Sequence, residues 1–217
     1  MNVVIINLST PKRPKPRIES LSDLIFGLAL SIGTISLISR MPRFPTTILI
    51  DLLQFGFSFL ILISVWFSYT SIMSVLPVED TRAIVLNIVM LFLVSVEPYL
   101  FYLNVVFDLE QHEVMLNAAS IAYALDMAGL MAILGLFTHE LTIEEKKLVP
   151  QDILGSYRRV RNSLFLAAVI FGATILPIFW TLKVLGTPLR FYLWFVPLIA
   201  VSMRRISSQV HVKPKNS

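Results

Sequence analysis

The sequence predicts an all-α, polytopic membrane protein with six transmembrane helices and both termini cytoplasmic. Three observations carry that prediction: the composition, the lengths of the apolar runs and the placement of the basic residues. Of 217 residues, 56% are hydrophobic and only 15% are charged, and the mean hydropathy is +0.76. Soluble domains average about 25% charged residues, so both figures depart from a water-soluble globule in the same direction. This composition excludes a disordered chain. The lack of cysteine excludes a disulfide scaffold, thiolate metal sites and thiol catalysis.

A helix crossing the hydrocarbon core needs about 20 mostly apolar residues. Six stretches qualify: 21–38, 52–76, 83–107, 114–137, 163–185 and 191–203. The first opens on Ser22 and Asp23, residue types that cap helix N-termini and suit the dipole there. Its Gly27-x-x-x-Ser31 and Ala29-x-x-x-Gly33 pairs permit close helix packing. The second contains the continuous apolar run 60–65, which does not alternate as a barrel strand does. The third carries Asn87 and Glu97, with Pro98 freeing a carbonyl one turn back. The fourth carries Asn117 and, near its middle, Asp126. The fifth holds the apolar run 164–172, and the sixth is the shortest and contains Pro197.

The Lys and Arg positions test this count independently. With six crossings, fourteen basic residues fall on the side of the termini and four on the other, as the positive-inside rule requires. The excess of basic residues is therefore topology and affinity for anionic headgroups, with no nucleic-acid partner expected. The domain reading follows: a basic tail over 1–20, one membrane domain over 21–205 with a cytoplasmic loop at about 138–162, and a second basic tail over 206–217. The apolar run 3–8 is too short for a cleaved signal peptide. The expected location is the cell membrane, multi-pass.

Motifs for chemistry are missing. His112-Glu113 and His139-Glu140 begin like a zinc-binding H-E-x-x-H helix, but Leu116 and Ile143 stand where the second histidine belongs. Neither a phosphate-binding loop nor a nucleophile elbow is present. The expectation is a protein with no catalytic residues, no metal and no cofactor, hence not an enzyme. Ionisable groups inside spans are costly and are functional candidates by default. Glu97 and Asp126 therefore support one reading, a proton-coupled secondary transporter using intramembrane carboxylates.

Helix one supports another. Leu24, Leu28, Ser31 and Ile35 recur at spacings of four, three and four, on one stripe of an α-helix. Such a stripe is produced by plain helix packing, or by a hydrophobic constriction around a shared axis that gates by dewetting.

The segment Arg17-Ile18-Glu19-Ser20-Leu21-Ser22-Asp23 resembles the R-x-x-x-F-S-D signature of the transmembrane protein 175 family of potassium channels. Leu21 stands in place of the Phe. Phe57-Ser58-Phe59 followed by Trp66 resembles that family's second span, with Tyr69 and Thr70 where two histidines stand in the motif; Asn87 and Pro98 resemble its third. The resemblance implies a potassium-selective cation leak channel whose partners are K⁺, the lipid bilayer and itself, as a homotetramer. The pore is then lined by helix one of each subunit, with the constriction at Leu28 and further pore-facing positions at Ser31 and Ile35. Arg17, Ser22, Asp23 and Trp66 form the signature polar network.

Overall fold

The structure is a computed structural model, and it describes residues 17–38, 45–76, 81–109, 112–146 and 148–197. Residues 1–16 of the first basic tail, the whole of the second and the last part of the predicted sixth span, 198–203, lie outside the described residues. Five long helices dominate: α1 (Arg17–Ile38), α2 (Pro45–Met73), α3 (Thr81–Leu109), α4 (Glu113–Leu141) and α5 (Gln151–Ala173). A short helix α6 (Ile178–Thr181), a hairpin of β1 (Lys183–Val184) and β2 (Thr187–Pro188), and a five-residue helix α7 (Leu189–Leu193) follow. The chain is thus mostly helical, as predicted.

Among the described residues, three helical stretches are long and apolar enough to cross a membrane: Phe55–Met73, Thr81–Val105 and Glu113–Leu141. The apolar part of α1, Ser20–Ile35, is shorter. At 29 residues, α4 is about 43 Å long at 1.5 Å per residue, enough to pass the hydrocarbon core with turns to spare. It is the post of the bundle. Tyr123, Met127, Leu130, Leu134 and Phe137 are fully buried along it, because α3 and α5 pack on its two sides and α2 touches it too. In turn, α1 packs on α3 and α2, away from α5.

The fifth element departs from expectation. The sequence predicts one continuous helix over 163–185 after a loop at 138–162, but α4 runs on to Leu141 and α5 begins at Gln151. The connection is a single 3₁₀ turn, Glu144–Lys146, closed by Lys146–Glu140 and Arg158–Glu144 ion pairs. The helix α5 then stops at Ala173. Pro177 cannot donate to a helical ladder and disfavours the α conformation of the residue before it, so an uninterrupted apolar run does not remain one helix. The sixth stretch is likewise interrupted, with α7 ending at Leu193 and a turn at Trp194.

The antiparallel course of α5 along α4 sets the ends of the bundle. Arg161 reaches Thr142 near the end of α4, Gly135 lies against Phe165, and beyond α5 Lys183 pairs with Glu113 at the start of α4, 3.2 Å away. Between β1 and β2 the chain reverses through Leu185 (φ 51°) and Gly186 (φ 83°). Positive φ at both central residues matches the twist of a two-residue hairpin turn. Leu185 pays about 1–2 kcal/mol for it while 94% exposed.

Close helix contact at Gly135 gives a direct test. A Cβ there would lie 2.9 Å from Phe165 Cε1 and 3.0 Å from Cδ1, too near for a rigid ring. Gly135→Ala is expected to destabilise the α4–α5 packing by about 1–3 kcal/mol. Gly129→Ala meets only the end of the flexible Leu93 side chain and is expected to be milder. Thermal unfolding in matched detergent distinguishes the two.

Candidate functional site

Helix α1 has two faces. Ser22, Phe26 and Ala29, spaced by four and three, are buried against α2 and α3. The opposite stripe points away from the rest of the chain: Leu24 is 69%, Leu28 58% and Ile35 60% exposed. Ser31 belongs to that stripe, and its hydroxyl donates to the Gly27 carbonyl at 2.8 Å, which satisfies the donor without a partner from another helix.

The buried face is held by polar contacts at the start of the helix. The indole Nε1 of Trp66 donates to Asp23 Oδ1 at 3.0 Å. The Tyr69 hydroxyl donates to Ser22 Oγ at 2.7 Å, and Asn87 Nδ2 donates to the same oxygen at 3.4 Å. One turn of α1 is thereby tied to α2 by two bonds and to α3 by a third, and Phe26 packs on the Tyr69 ring with centroids 5.8 Å apart. Of the predicted polar network, Ser22, Asp23 and Trp66 are brought together; the Arg17 side chain lies outside what the structure describes. Tyr69 was not read as a contributor. Its spacing of three from Trp66 places both on one face of α2, and that is the signal by which it could be found.

A second group of polar residues lies inside the bundle. Ser58 Oγ donates to the fully buried Glu97 carboxylate, 3.0 Å to Oε1 and 3.2 Å to Oε2. Asp126, 4% exposed, and the buried Tyr123 hydroxyl lie within electrostatic reach of Glu97. Asp126 has no hydrogen-bond partner among the described residues, and the Tyr123 hydroxyl faces the Glu97 carboxylate. Glu97 and Asp126 are therefore in one cluster between α2, α3 and α4, to which Ser58 and Tyr123 add hydroxyls that the sequence did not single out. Tyr123 stands three residues before Asp126 on α4, again the spacing of a shared face.

The six-crossing count places Arg190 with Arg40, Arg43 and Lys183 as the four basic residues opposite the termini. Arg190 is 1% exposed. Its guanidinium donates to Thr174 O at 2.7 Å, Asn117 Oδ1 at 2.9 Å and Ser120 Oγ at 2.5 Å, and sits 5.2 Å from the centroid of the Trp180 ring. Carbonyls left free where α5 ends are thus satisfied by a side chain that also grips α4. Trp194 Nε1 donates to Thr174 Oγ1 at 3.2 Å and its ring packs on Tyr123, centroids 4.7 Å apart. Among the described residues no three His, Asp or Glu side chains gather to hold a metal ion.

Comparison with known proteins agrees with this anatomy. Residues 17–98, which span α1, α2 and the first part of α3, match the model of the family described as the endosomal/lysosomal potassium channel TMEM175. No curated protein sequence gives a significant match. Among solved structures, a lysosomal potassium-selective channel TMEM175 homologue from Chamaesiphon minutus superposes with TM-score 0.59 at 18% identity, covering 87% of this chain and 96% of that one. A variant of the potassium channel MtTMEM175, solved with a nanobody–MBP fusion, gives TM-score 0.63 at 18% identity over 96% of this chain and 100% of the other. At that identity these two likenesses are of fold. The resemblance carried by Arg17, Ser22 and Asp23 is to the TMEM175 family, matched in sequence over residues 17–98 and in fold over most of the chain.

Proposed function

We propose that this chain is a subunit of a potassium-selective cation leak channel, a homotetramer in which α1 of each subunit lines a common pore. The observation that supports it most is the outward stripe of α1: large apolar side chains turned away from their own bundle, on a helix whose other face is pinned to α2 and α3. Four copies meeting on that stripe cover it and leave a narrow apolar passage at Leu28. Dewetting at such a ring controls passage, and Ser31 supplies hydroxyl oxygens one turn further along. In this reading the chain crosses the cell membrane six times with cytoplasmic termini, α5 through the hairpin supplying the fifth crossing and the segment from α7 onward the sixth. Passage needs no covalent chemistry and no cofactor. The test is reconstitution into liposomes or planar bilayers under opposed K⁺ and Na⁺ gradients. A reversal potential near that of K⁺ is expected; one that follows neither cation removes the proposal.

The buried carboxylates with unpartnered oxygens at Asp126 favour a second reading, a proton-coupled transporter. It requires pH-driven uptake, abolished by Asp126→Asn and little changed by Leu28→Ala. The channel reading requires the reverse order.

A further inference from the structure

All the described buried side-chain oxygens that lack a hydrogen-bond partner lie on α3 and α4: Asn87 Oδ1, Asn104 Oδ1, the Tyr123 hydroxyl and both oxygens of Asp126. The antiparallel register of α3 on α4, with Asn104 bonded to Ala119 O at 3.3 Å, Phe101 on Tyr123 and Leu93 on Gly129, sets Glu97 level with Tyr123 and Asp126. Among the described residues the neighbours there bring no positive charge, and the segment after α7 contributes only the rings of Trp194 and Phe195, packed on Tyr123 and Phe57. The α2 side contributes the Ser58 hydroxyl, α3 contributes Glu97, and α4 contributes Tyr123 and Asp126. Asp23 on α1 is engaged with Trp66. The buried part of α5 facing α4, with Ser163, Leu164, Ala167 and Phe171, has no charged side chain. Arg190 is committed to Asn117, Ser120 and the end of α5, and makes no ion pair with either carboxylate among the described residues.

Two ionised carboxylates in such surroundings are untenable. Like charges at close range disfavour joint ionisation, and a buried charge without donors is costly. Glu97 accepts from the Ser58 hydroxyl and Asp126 has no donor, so a proton held by the pair removes one of the two charges. A proton on Asp126 turns an orphaned acceptor into an O–H donor, and the Tyr123 hydroxyl and the Glu97 carboxylate are the acceptors within reach.

We propose that Glu97 and Asp126 form a proton-binding site inside each subunit, holding one exchangeable proton with the Tyr123 and Ser58 hydroxyls as its surround. The site is separate from the α1 stripe, since Leu28 faces out of the bundle and the two carboxylates face in. It does not depend on the channel reading, and its test involves no conduction.

The experiment is infrared difference spectroscopy of the full chain in lipid as pH is raised, repeated in K⁺, Na⁺ and choline media. A protonated carboxyl C=O stretch is expected at neutral pH in all three media. It is lost on alkalinisation and is absent from the Glu97→Gln/Asp126→Asn double variant. No such band in the unmodified chain at neutral pH overturns the proposal, as does a band unchanged in the double variant. A band that appears only in choline also overturns it, by assigning the site to a metal cation. Should the double variant fail to fold, the single variants Glu97→Gln and Asp126→Asn serve instead: a band displaced or lost in either places the proton at the site, and a band unmoved in both overturns the assignment.

Discussion

Leu28→Ala is expected to raise conductance and to weaken discrimination between K⁺ and Na⁺, the largest functional effect of any single substitution on α1. The side chain is 58% exposed in the isolated subunit, so its removal deletes few contacts within the bundle and leaves folding intact. In a four-fold assembly the same change acts four times at one level of the pore. The cost of wetting an apolar ring falls with each methylene removed, at about 0.8 kcal/mol per buried CH₂. A fall of only about 1.4 kcal/mol in the barrier raises the rate of passage tenfold. Single-channel or flux recordings in K⁺ on one side and Na⁺ on the other should therefore show currents on the order of tenfold larger and a reversal potential moved toward zero. Phe92→Ala, on the exposed face of α3, is the control expected to change neither. Unaltered current and selectivity in Leu28→Ala would remove α1 from the pore.

Arg190→Met is expected to have the largest effect on stability. The substitution keeps much of the stem but deletes every donor of a buried guanidinium. The Thr174 carbonyl, Asn117 Oδ1 and Ser120 Oγ lose a charge-assisted partner together. Hydrogen bonds to a charged group contribute about 1.5–3 kcal/mol each, and buried acceptors left unmatched cost more, so a loss of at least about 3 kcal/mol is expected. At about 2–4 °C per kcal/mol for a chain of this size, Tm falls by about 6–12 °C. Arg190→Lys should rescue little, because an ammonium cannot reproduce the planar fork that reaches α4 and α5 at once. Arg158→Met removes an exposed pair with Glu144 and is expected to lower Tm by only a few degrees, as surface ion pairs contribute about 0–1 kcal/mol. Equal shifts for Arg190→Met and Arg158→Met would refute the bridging role.

The first four helices were legible because each carries a long apolar run, three of them long enough to cross a membrane. The predicted stretches 83–107 and 114–137 sit inside α3 (Thr81–Leu109) and α4 (Glu113–Leu141), and the observed helices overrun them where polar end residues continue the backbone ladder. Hydropathy has no term for a break within an apolar run, so 163–185 read as one helix although α5 ends at Ala173, one turn before Pro177. Asp23 and Trp66 could be named because a spaced motif carries them. Glu97 and Asp126 could be named because charge in a span is expensive. That these two share one cluster, with Ser58 and Tyr123, depends on how α2, α3 and α4 are rotated about their axes, which no single helix encodes. The bridging role of Arg190 was hidden for a related reason. A basic residue in a short connection looks like a topology signal, and only the fold reveals that the end of α5 and the face of α4 converge on it.

The hairpin tip offers a handle on orientation. The chain contains no cysteine, and Leu185 stands almost clear of the protein at the reversal between β1 and β2. Leu185→Cys thus introduces a unique thiol on a spur. Whether a bulky, membrane-impermeant maleimide attaches to intact cells carrying that variant, or only after they are opened, reports directly which compartment the Glu113 end of the bundle faces.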